Sequence, residues 1–232
     1  MARQAEAENQ AGAVELRRDE RGLALVGDGM ELRGDFSRML PRLRRDRLGR
    51  ELLVKAARVR GVEEPTAVDC TAGLGEDSLL LAAAGFRVTL FERDKTIYAL
   101  LCDALERASA DPQLAGIVGR MELVGGDSIG GLESLGFAPD VVYLDPMFPG
   151  RTKSAAVKKK FQLLHHLEQP CEEEEALVEA ALAAHPRKVV IKRPPKGLEL
   201  AGVKPSYTVS GKAVRYDVLV PPPIPRPFCP KA

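Results

Sequence analysis

From Ala67 onward the chain alternates short apolar runs with longer amphipathic stretches. Residues 67–69, 87–91, 121–125, 141–144 and 188–192 form runs too short for helices and too apolar for exposed strands, so they read as buried parallel strands. Between them, helical spacing predicts helices over about 77–84, 95–108 and 129–135, and over 158–167 or 172–184. Residues 206–210 and 213–220, separated by Gly211-Lys212, alternate as an antiparallel hairpin closing the sheet edge. This order calls for an α/β fold, a mostly parallel sheet with helices on both faces.

Upstream the pattern weakens. Residues 1–20 are polar and keep no period, which predicts a flexible leader. Residues 23–26 and 30–32, joined by Gly27-Asp28-Gly29, predict a small hairpin, and 48–57 an amphipathic helix. The expected division is a leader (1–20), a small N-terminal subdomain with a basic helix (21–60), the main domain (61–220) and a Pro-rich tail (221–232). In the tail, Pro221-Pro222-Pro223 ends regular structure.

Composition narrows the class. The 232 residues suffice for one sizeable α/β domain with an appendage, and 45% hydrophobic with 29% charged residues is the balance of a soluble globular protein. No apolar run reaches membrane-spanning length, and Met1-Ala2-Arg3-Gln4-Ala5-Glu6 lacks the apolar core of a signal peptide, so a cytoplasmic protein is expected. Cys70, Cys102, Cys171 and Cys229 are widely spaced, and His165, His166 and His185 lack ligand spacing. Free thiols and no metal are therefore expected. The net charge of +1 conceals a basic segment: residues 31–60 hold ten Lys/Arg against four acids, and 151–160 five cations and no acid. Such a surface suits a polyanion, although any single charge run is as readily a solvated helix face.

The candidate chemistry centres on Asp69-Cys70-Thr71-Ala72-Gly73-Leu74-Gly75-Glu76-Asp77, where a buried strand breaks at a glycine turn and enters a helix. Gly73 and Gly75 supply the unusual dihedrals of a ligand-cradling loop. A dinucleotide would need G-x-G-x-x-G, but here Glu76 and Asp77 stand where the pyrophosphate would sit, which disfavours a nicotinamide-dependent oxidoreductase. A D-x-x-x-G-x-G turn suits a ligand carrying an ammonium group. It resembles the first motif of Rossmann-like methyltransferases, whose ligand is S-adenosylmethionine. Glu92, ending the second strand beside Arg93, is placed to accept both ribose hydroxyls, with Asp94 the better candidate for a helix cap. Asp127, with Ser128, is placed to accept from an adenine amino group, although Gly125-Gly126-Asp127-Ser128 also reads as an ordinary turn.

The fourth strand delivers Asp145-Pro146-Met147-Phe148-Pro149 to the same edge. This resembles the [D/N]-P-P-[Y/F] motif of methyltransferases acting on exocyclic amino nitrogens, and makes Asp145, Pro146 and Phe148 the candidate catalytic residues. Such a nitrogen is conjugated with its ring and is a poor nucleophile. A carboxylate and a backbone carbonyl accepting its N–H bonds draw it out of conjugation while an aromatic face grips the base. No metal is needed, because positioning carries most of the acceleration.

Followed by Lys153-Ser154-Ala155-Ala156-Val157-Lys158-Lys159, the corner resembles the D-P-M-[FY]-P-x-x-x-K-S-A-x-x-K-K signature of the RsmJ-type methyltransferases. Those enzymes methylate N2 of a guanine near the 3′ end of 16S ribosomal RNA. The glycine turn, Leu90-Phe91-Glu92-Arg93, Val190-Ile191-Lys192-Arg193-Pro194 and Gly211-Lys212-Ala213-Val214-Arg215-Tyr216-Asp217-Val218 extend the likeness over about residues 23–220. Two departures stand out: Glu76 replaces a frequent Arg, and Arg44-Arg45-Asp46-Arg47-Leu48-Gly49-Arg50 replaces a glycine-rich stretch.

The resemblance implies a Rossmann-like fold with a C-terminal antiparallel hairpin and a small N-terminal subdomain. It implies cofactor contacts from Glu76, Asp77, Glu92, Arg93, Asp127, Ser128 and Asp145. Lys153, Lys158, Lys159, Lys192 and Arg193 leave the same sheet edge and are the expected RNA-binding residues. The expected partner is 16S ribosomal RNA or the small ribosomal subunit, with no membrane partner; the oligomeric state stays open. The competing readings are an amino-group methyltransferase acting on DNA adenine or a protein amide, and a non-catalytic RNA-binding assembly factor.

Overall fold

The structure, a computed structural model, describes residues 14–27, 29–146 and 173–222. Its centre is a seven-stranded sheet of order β6-β5-β4-β7-β8-β10-β9. Strands β4 (Thr66–Asp69), β5 (Arg87–Glu92), β6 (Met121–Gly125), β7 (Val141–Leu144) and β8 (Lys188–Arg193) are parallel. Strand β10 (Arg215–Leu219) runs antiparallel to both β8 and β9 (Tyr207–Ser210), as the alternation at 206–220 predicts. The chain winds outward from β4 to β6, then restarts on the other side at β7. Strands β4 and β7 therefore flank the point where the winding reverses, the usual place for a ligand beyond the carboxyl ends of the strands.

Strand parity sorts the core into two layers. Ala67, Val141, Tyr143, Val190, Tyr216 and Val218 face one side, under helices α3 (Leu52–Ala57), α4 (Glu76–Ala83) and α5 (Lys95–Ser109). Val68, Val142, Leu144, Val189 and Ile191 face the other, packing on Leu132 of α7 (Ser128–Glu133) and Leu177 of α8 (Glu174–Ala183). Among the described residues the other α-helices are one-turn pieces, α1 (Leu40–Leu43), α2 (Arg45–Leu48) and α6 (Ala115–Val118). Asp94 caps α5, accepting from the backbone N–H groups of Thr96 and Ile97 at 2.8 and 2.9 Å, as its position predicts.

The N-terminal segment differs from expectation in two places. Glu15–Asp19 lies inside the expected leader but forms strand β1 of a three-stranded meander with β2 (Gly22–Gly27) and β3 (Met30–Leu32). All five β1 side chains are exposed, so it has no hydropathy signal and is held by backbone pairing. The expected single helix over 48–57 is split. Glu51 takes an extended ψ of 130°, so one turn ends at Leu48 and α3 starts at Leu52. The meander docks on α5 through Leu25, Leu32 and Leu100, and buried Asp103 accepts from Arg18 and Arg107, each at 2.7 Å.

Candidate active site at the carboxyl rim

The turn after β4 is fixed from within. Asp69 is buried; its Oδ1 accepts from the Thr71 N–H at 2.9 Å and its Oδ2 from the Ser78 hydroxyl at 2.5 Å. The expected ammonium acceptor thus has both oxygens committed to shaping the turn. Burial lifts its carboxyl to about 7, with Asp77 and Asp145 adding to the rise and the two hydrogen bonds opposing it. Gly75 enters α4 at φ +75°, and a Cβ there would fall 2.8 Å from Leu101 and 3.2 Å from Phe36, so only glycine fits. Gly73, at φ +53°, has the opposite surroundings: a Cβ would meet nothing nearer than the Thr71 carbonyl at 4.0 Å. One glycine closes the turn against the core and the other leaves open space above it.

The fourth-strand corner meets that turn directly. The Asp145 N–H donates to Thr71 Oγ1 at 2.8 Å. Lys192, on the neighbouring strand, donates to Asp145 Oδ2 at 2.8 Å and to Asp77 Oδ2 at 2.7 Å, and the Tyr143 hydroxyl donates to the same Asp77 oxygen at 2.6 Å. The cause is strand parity: Tyr143, Asp145 and Lys192 project to one face, where Tyr216 stands opposite Lys192 in the β8–β10 register.

The electrostatics follow from this packing. Burial pushes the Asp145 carboxyl up and the Lys192 ammonium pulls it back. Burial disfavours charge on Lys192, yet Asp77 and Asp145 together raise it, so it stays protonated. Tyr143 and Tyr216 are both held up by burial, then by the carboxylates around them, and stay neutral.

Along the rest of the rim the acids stand on successive strands. Glu92 Oε2 accepts from the Gly73 N–H at 2.9 Å and Oε1 from the Asp94 N–H at 2.8 Å, which ties the end of β5 to the glycine turn. Burial raises its carboxyl against those two bonds. Arg93 beside it is exposed. Asp127 caps α7 through Oδ2, at 3.1 and 3.2 Å from the Ile129 and Gly130 N–H groups, and Ser128 is buried behind it. A cleft of about 460 Å³ opens beside Asp127 between β5, β6 and α7, with Phe91, Val124 and Leu135 among its apolar walls. Open space over Gly73, an acid at the end of β5 and an apolar cleft beside an acid at the end of β6 fit the methionine, ribose and adenine parts of S-adenosylmethionine in that order.

Two of the expected RNA contacts are engaged within the protein. Lys192 is clamped between two carboxylates. Arg193, one residue on, points to the opposite face and is buried near Glu174 and Asp217. The rim position of both is legible in the sequence; their opposite parity within β8 sends them to opposite faces. Pro146 is buried at the corner, while Phe148, Lys153, Lys158 and Lys159 lie outside the described residues. Thr71, Tyr143 and Tyr216 were missed. The signal for Tyr143 was its two-residue spacing from Asp145, and for Tyr216 its place opposite Lys192 in the β8–β10 register.

Residues 4–221 match the sequence pattern of the family described as "Putative SAM-dependent methyltransferase". The chain belongs to that family. It is 46% identical over 172 residues to the ribosomal RNA small subunit methyltransferase J of Thioalkalivibrio sulfidiphilus, covering 73% of this chain and 68% of that one. The protein of the same name from Pseudomonas aeruginosa strain UCBPP-PA14 is 47% identical over 169 residues, covering 72% and 65%. The match thus spans about two thirds of the length of these relatives. The Neisseria meningitidis FAM18 protein of that name is 40% identical over 206 residues, covering 88% and 82%.

The fold of a SAM-dependent methyltransferase from Neisseria gonorrhoeae superposes with a TM-score of 0.74 at 32% identity, over 90% of this chain and 84% of that one. The family's fold is the Rossmann-like sheet described above, its cofactor is S-adenosylmethionine, and the RsmJ-type resemblance read from the motifs is confirmed. Among the described residues no helix is long and apolar enough to cross a membrane, and no group of three or more His, Cys, Asp or Glu could hold a metal.

Proposed function

We propose that this protein transfers a methyl group from S-adenosylmethionine to N2 of a guanine near the 3′ end of 16S ribosomal RNA, in the cytoplasm. The observation that carries the reading is the meeting of the two corners: Asp145 is bonded to Thr71 of the cofactor turn and bridged to Asp77 through Lys192. The relatives' shared name supports ribosomal RNA of the small subunit as the substrate.

S-adenosylmethionine supplies an electrophilic methyl on a sulfonium sulfur. Glu92 and Asp127 would accept the ribose hydroxyls and the adenine amine, and the open space at Gly73 would admit the methionine end. Asp145 would accept one N–H of the guanine amine and the Pro146 carbonyl the other; the aromatic residue expected for the base, Phe148, lies outside the described residues. Lys192 opposes the rise that burial imposes on Asp145 and so favours the carboxylate, the form that would accept that N–H and the proton N2 sheds on gaining the methyl. Tyr143 and Lys192 together hold Asp77 in place under the turn.

The test is methyl transfer from labelled donor to 30S particles and naked 16S RNA that lack their own methylation, with the modified base identified by mass spectrometry. N2-methylguanine is expected. Methyl in DNA adenine or a protein amide would select the other amino-group substrates. RNA binding without turnover, unaffected by Asp145→Ala, would select an assembly factor.

A further inference from the structure

The basic segment before the sheet divides when its ion pairs are traced. Arg42 forks onto Glu51, with Nε 2.9 Å and Nη2 2.8 Å from the carboxylate oxygens, and Arg44 pairs with Asp46 at 3.3 Å. Those are the only two acids between residues 42 and 55. Arg45, Arg47 and Arg50 are exposed and make no ion pair among the described residues. The backbone N–H of Arg47 donates to the Arg44 carbonyl, and that of Arg50 to the Arg47 carbonyl, both at 2.8 Å, so the three guanidinium stems rise from one tight double turn.

That double turn sits on the carboxyl rim. Arg42, on α1 just before the double turn and forked onto Glu51 at its end, lies close enough to Asp77 and Glu76 for both carboxylates to act on it, which sets the turn beside the cluster that holds Asp145. On the other side, a Cβ on Gly211 would fall 2.5 Å from Leu52, so the β9–β10 turn is pressed onto the start of α3 and carries exposed Lys212 to the same edge. By contrast Arg58 and Arg60, also exposed, sit at the far end of the sheet. The Arg58 carbonyl accepts from Lys188, the first residue of β8, at 2.7 Å.

The chemistry of this surface selects its partner. The exposed large hydrophobic residues of the described chain are Leu16, Phe137, Leu198, Tyr207 and Val220, none of them in 40–60. A protein partner would want an apolar anchor there, whereas a phosphate backbone wants unpaired guanidinium groups spaced along an edge.

We propose that Arg45, Arg47 and Arg50, continued by Lys212, form the track that holds the phosphate backbone of the RNA strand flanking the target base. The proposal rests on the RNA-methyltransferase reading and supplies a phosphate surface in place of Lys192 and Arg193.

The test compares the full-length chain with Arg45→Gln/Arg47→Gln/Arg50→Gln, Lys212→Gln and, as the far-rim control, Arg58→Gln/Arg60→Gln. The probe is a transcript of the 3′ domain of 16S ribosomal RNA, and binding is measured across about 50 to about 200 mM salt. Three lost phosphate contacts lower the salt slope by about 2 to 3, so the triple variant loses roughly 16- to 64-fold less affinity than wild type over that range while binding more weakly at its low end. Lys212→Gln shifts the slope by less than about 1, the control pair leaves it unchanged, and S-adenosylmethionine affinity is the same in all four proteins. A triple variant with wild-type affinity and slope, a control pair that is equally impaired, or a wild type that does not bind the RNA overturns the track. Arginine-dependent binding with no methyl transfer upholds the track and overturns the methyltransferase reading instead.

Discussion

Lys192 donates to Asp145 across the gap between two parallel strands, at 2.8 Å, and the same ammonium reaches Asp77 at 2.7 Å. The three side chains are only partly exposed, so removing the cation leaves two carboxylates facing each other with little water between them. Lys192→Met keeps the stem and removes the charge. It is expected to destabilise the protein by about 1–3 kcal/mol, the buried-pair value discounted for partial exposure. Urea unfolding measures this, and Asp77→Asn added to Lys192→Met should restore part of the loss. An unchanged midpoint for Lys192→Met would show that the clamp contributes nothing.

Asp145 has two roles that substitution separates. As a hydrogen-bond acceptor for the amine it can be replaced by the Asn carbonyl, but as a proton acceptor and as the charge partner of Lys192 it cannot. Asp145→Ala should lower the turnover number for methyl transfer by about 100- to 1000-fold, and Asp145→Asn should fall between that and wild type. Single-turnover assays with saturating donor read the difference. An alanine variant as fast as wild type would remove Asp145 from the chemistry.

The parallel strands and the rim were legible because most of these strands are short apolar runs that end at a candidate site residue: Asp69, Glu92, Gly125 before Asp127, and Leu144 before Asp145. Strand β1 was not, since Glu15-Leu16-Arg17-Arg18-Asp19 buries nothing and its pairing leaves no trace in hydropathy. The fates of Lys192 and Arg193 were hidden for a different reason. Both are cations at a strand end, and only the packing of α4 and α8 on opposite faces decides that one meets Asp77 and the other is buried near Glu174. Asp69 shows the limit of motif reading: its place was right, but its hydrogen bonds turn inward.

Glu92 joins the glycine turn to the end of β5 by accepting from Gly73 and Asp94. Each carboxylate oxygen keeps a lone pair for a ribose hydroxyl. Glu92→Gln puts an NH₂ group against one of those backbone donors and removes the charge. S-adenosylmethionine affinity should fall by about 10- to 100-fold, the equivalent of one hydrogen bond to a charged group. Titration calorimetry gives the number, and the measured unfolding midpoint separates a binding defect from a folding one. Affinity within about 2-fold of wild type would place the ribose elsewhere.

Asp69 makes stability depend on pH in a direction opposite to that of most carboxylates. Its carboxyl titrates at about 7 in the folded protein against an ordinary 3.8, so between about pH 4 and about pH 7 the folded state keeps a proton that the unfolded chain has shed. Folding therefore takes up a proton in this window, and the contribution of Asp69 to stability is complete below it and is lost as pH rises through it. The slope from this one group is at most about 1.4 kcal/mol per pH unit. Glu92 and Asp145 are raised in the same direction and add to the wild-type slope, so the informative quantity is the difference from a variant. Asp69→Asn can still accept from the Thr71 N–H and donate to the Ser78 hydroxyl, which preserves the turn while removing the titration. Urea unfolding at several pH values from about 4.5 to about 7.5 should give a flatter profile for Asp69→Asn than for wild type, with the variant gaining relative stability as pH rises. Parallel profiles would mean that Asp69 is already ionised throughout the range and that the hydrogen bonds from Thr71 and Ser78 outweigh its burial.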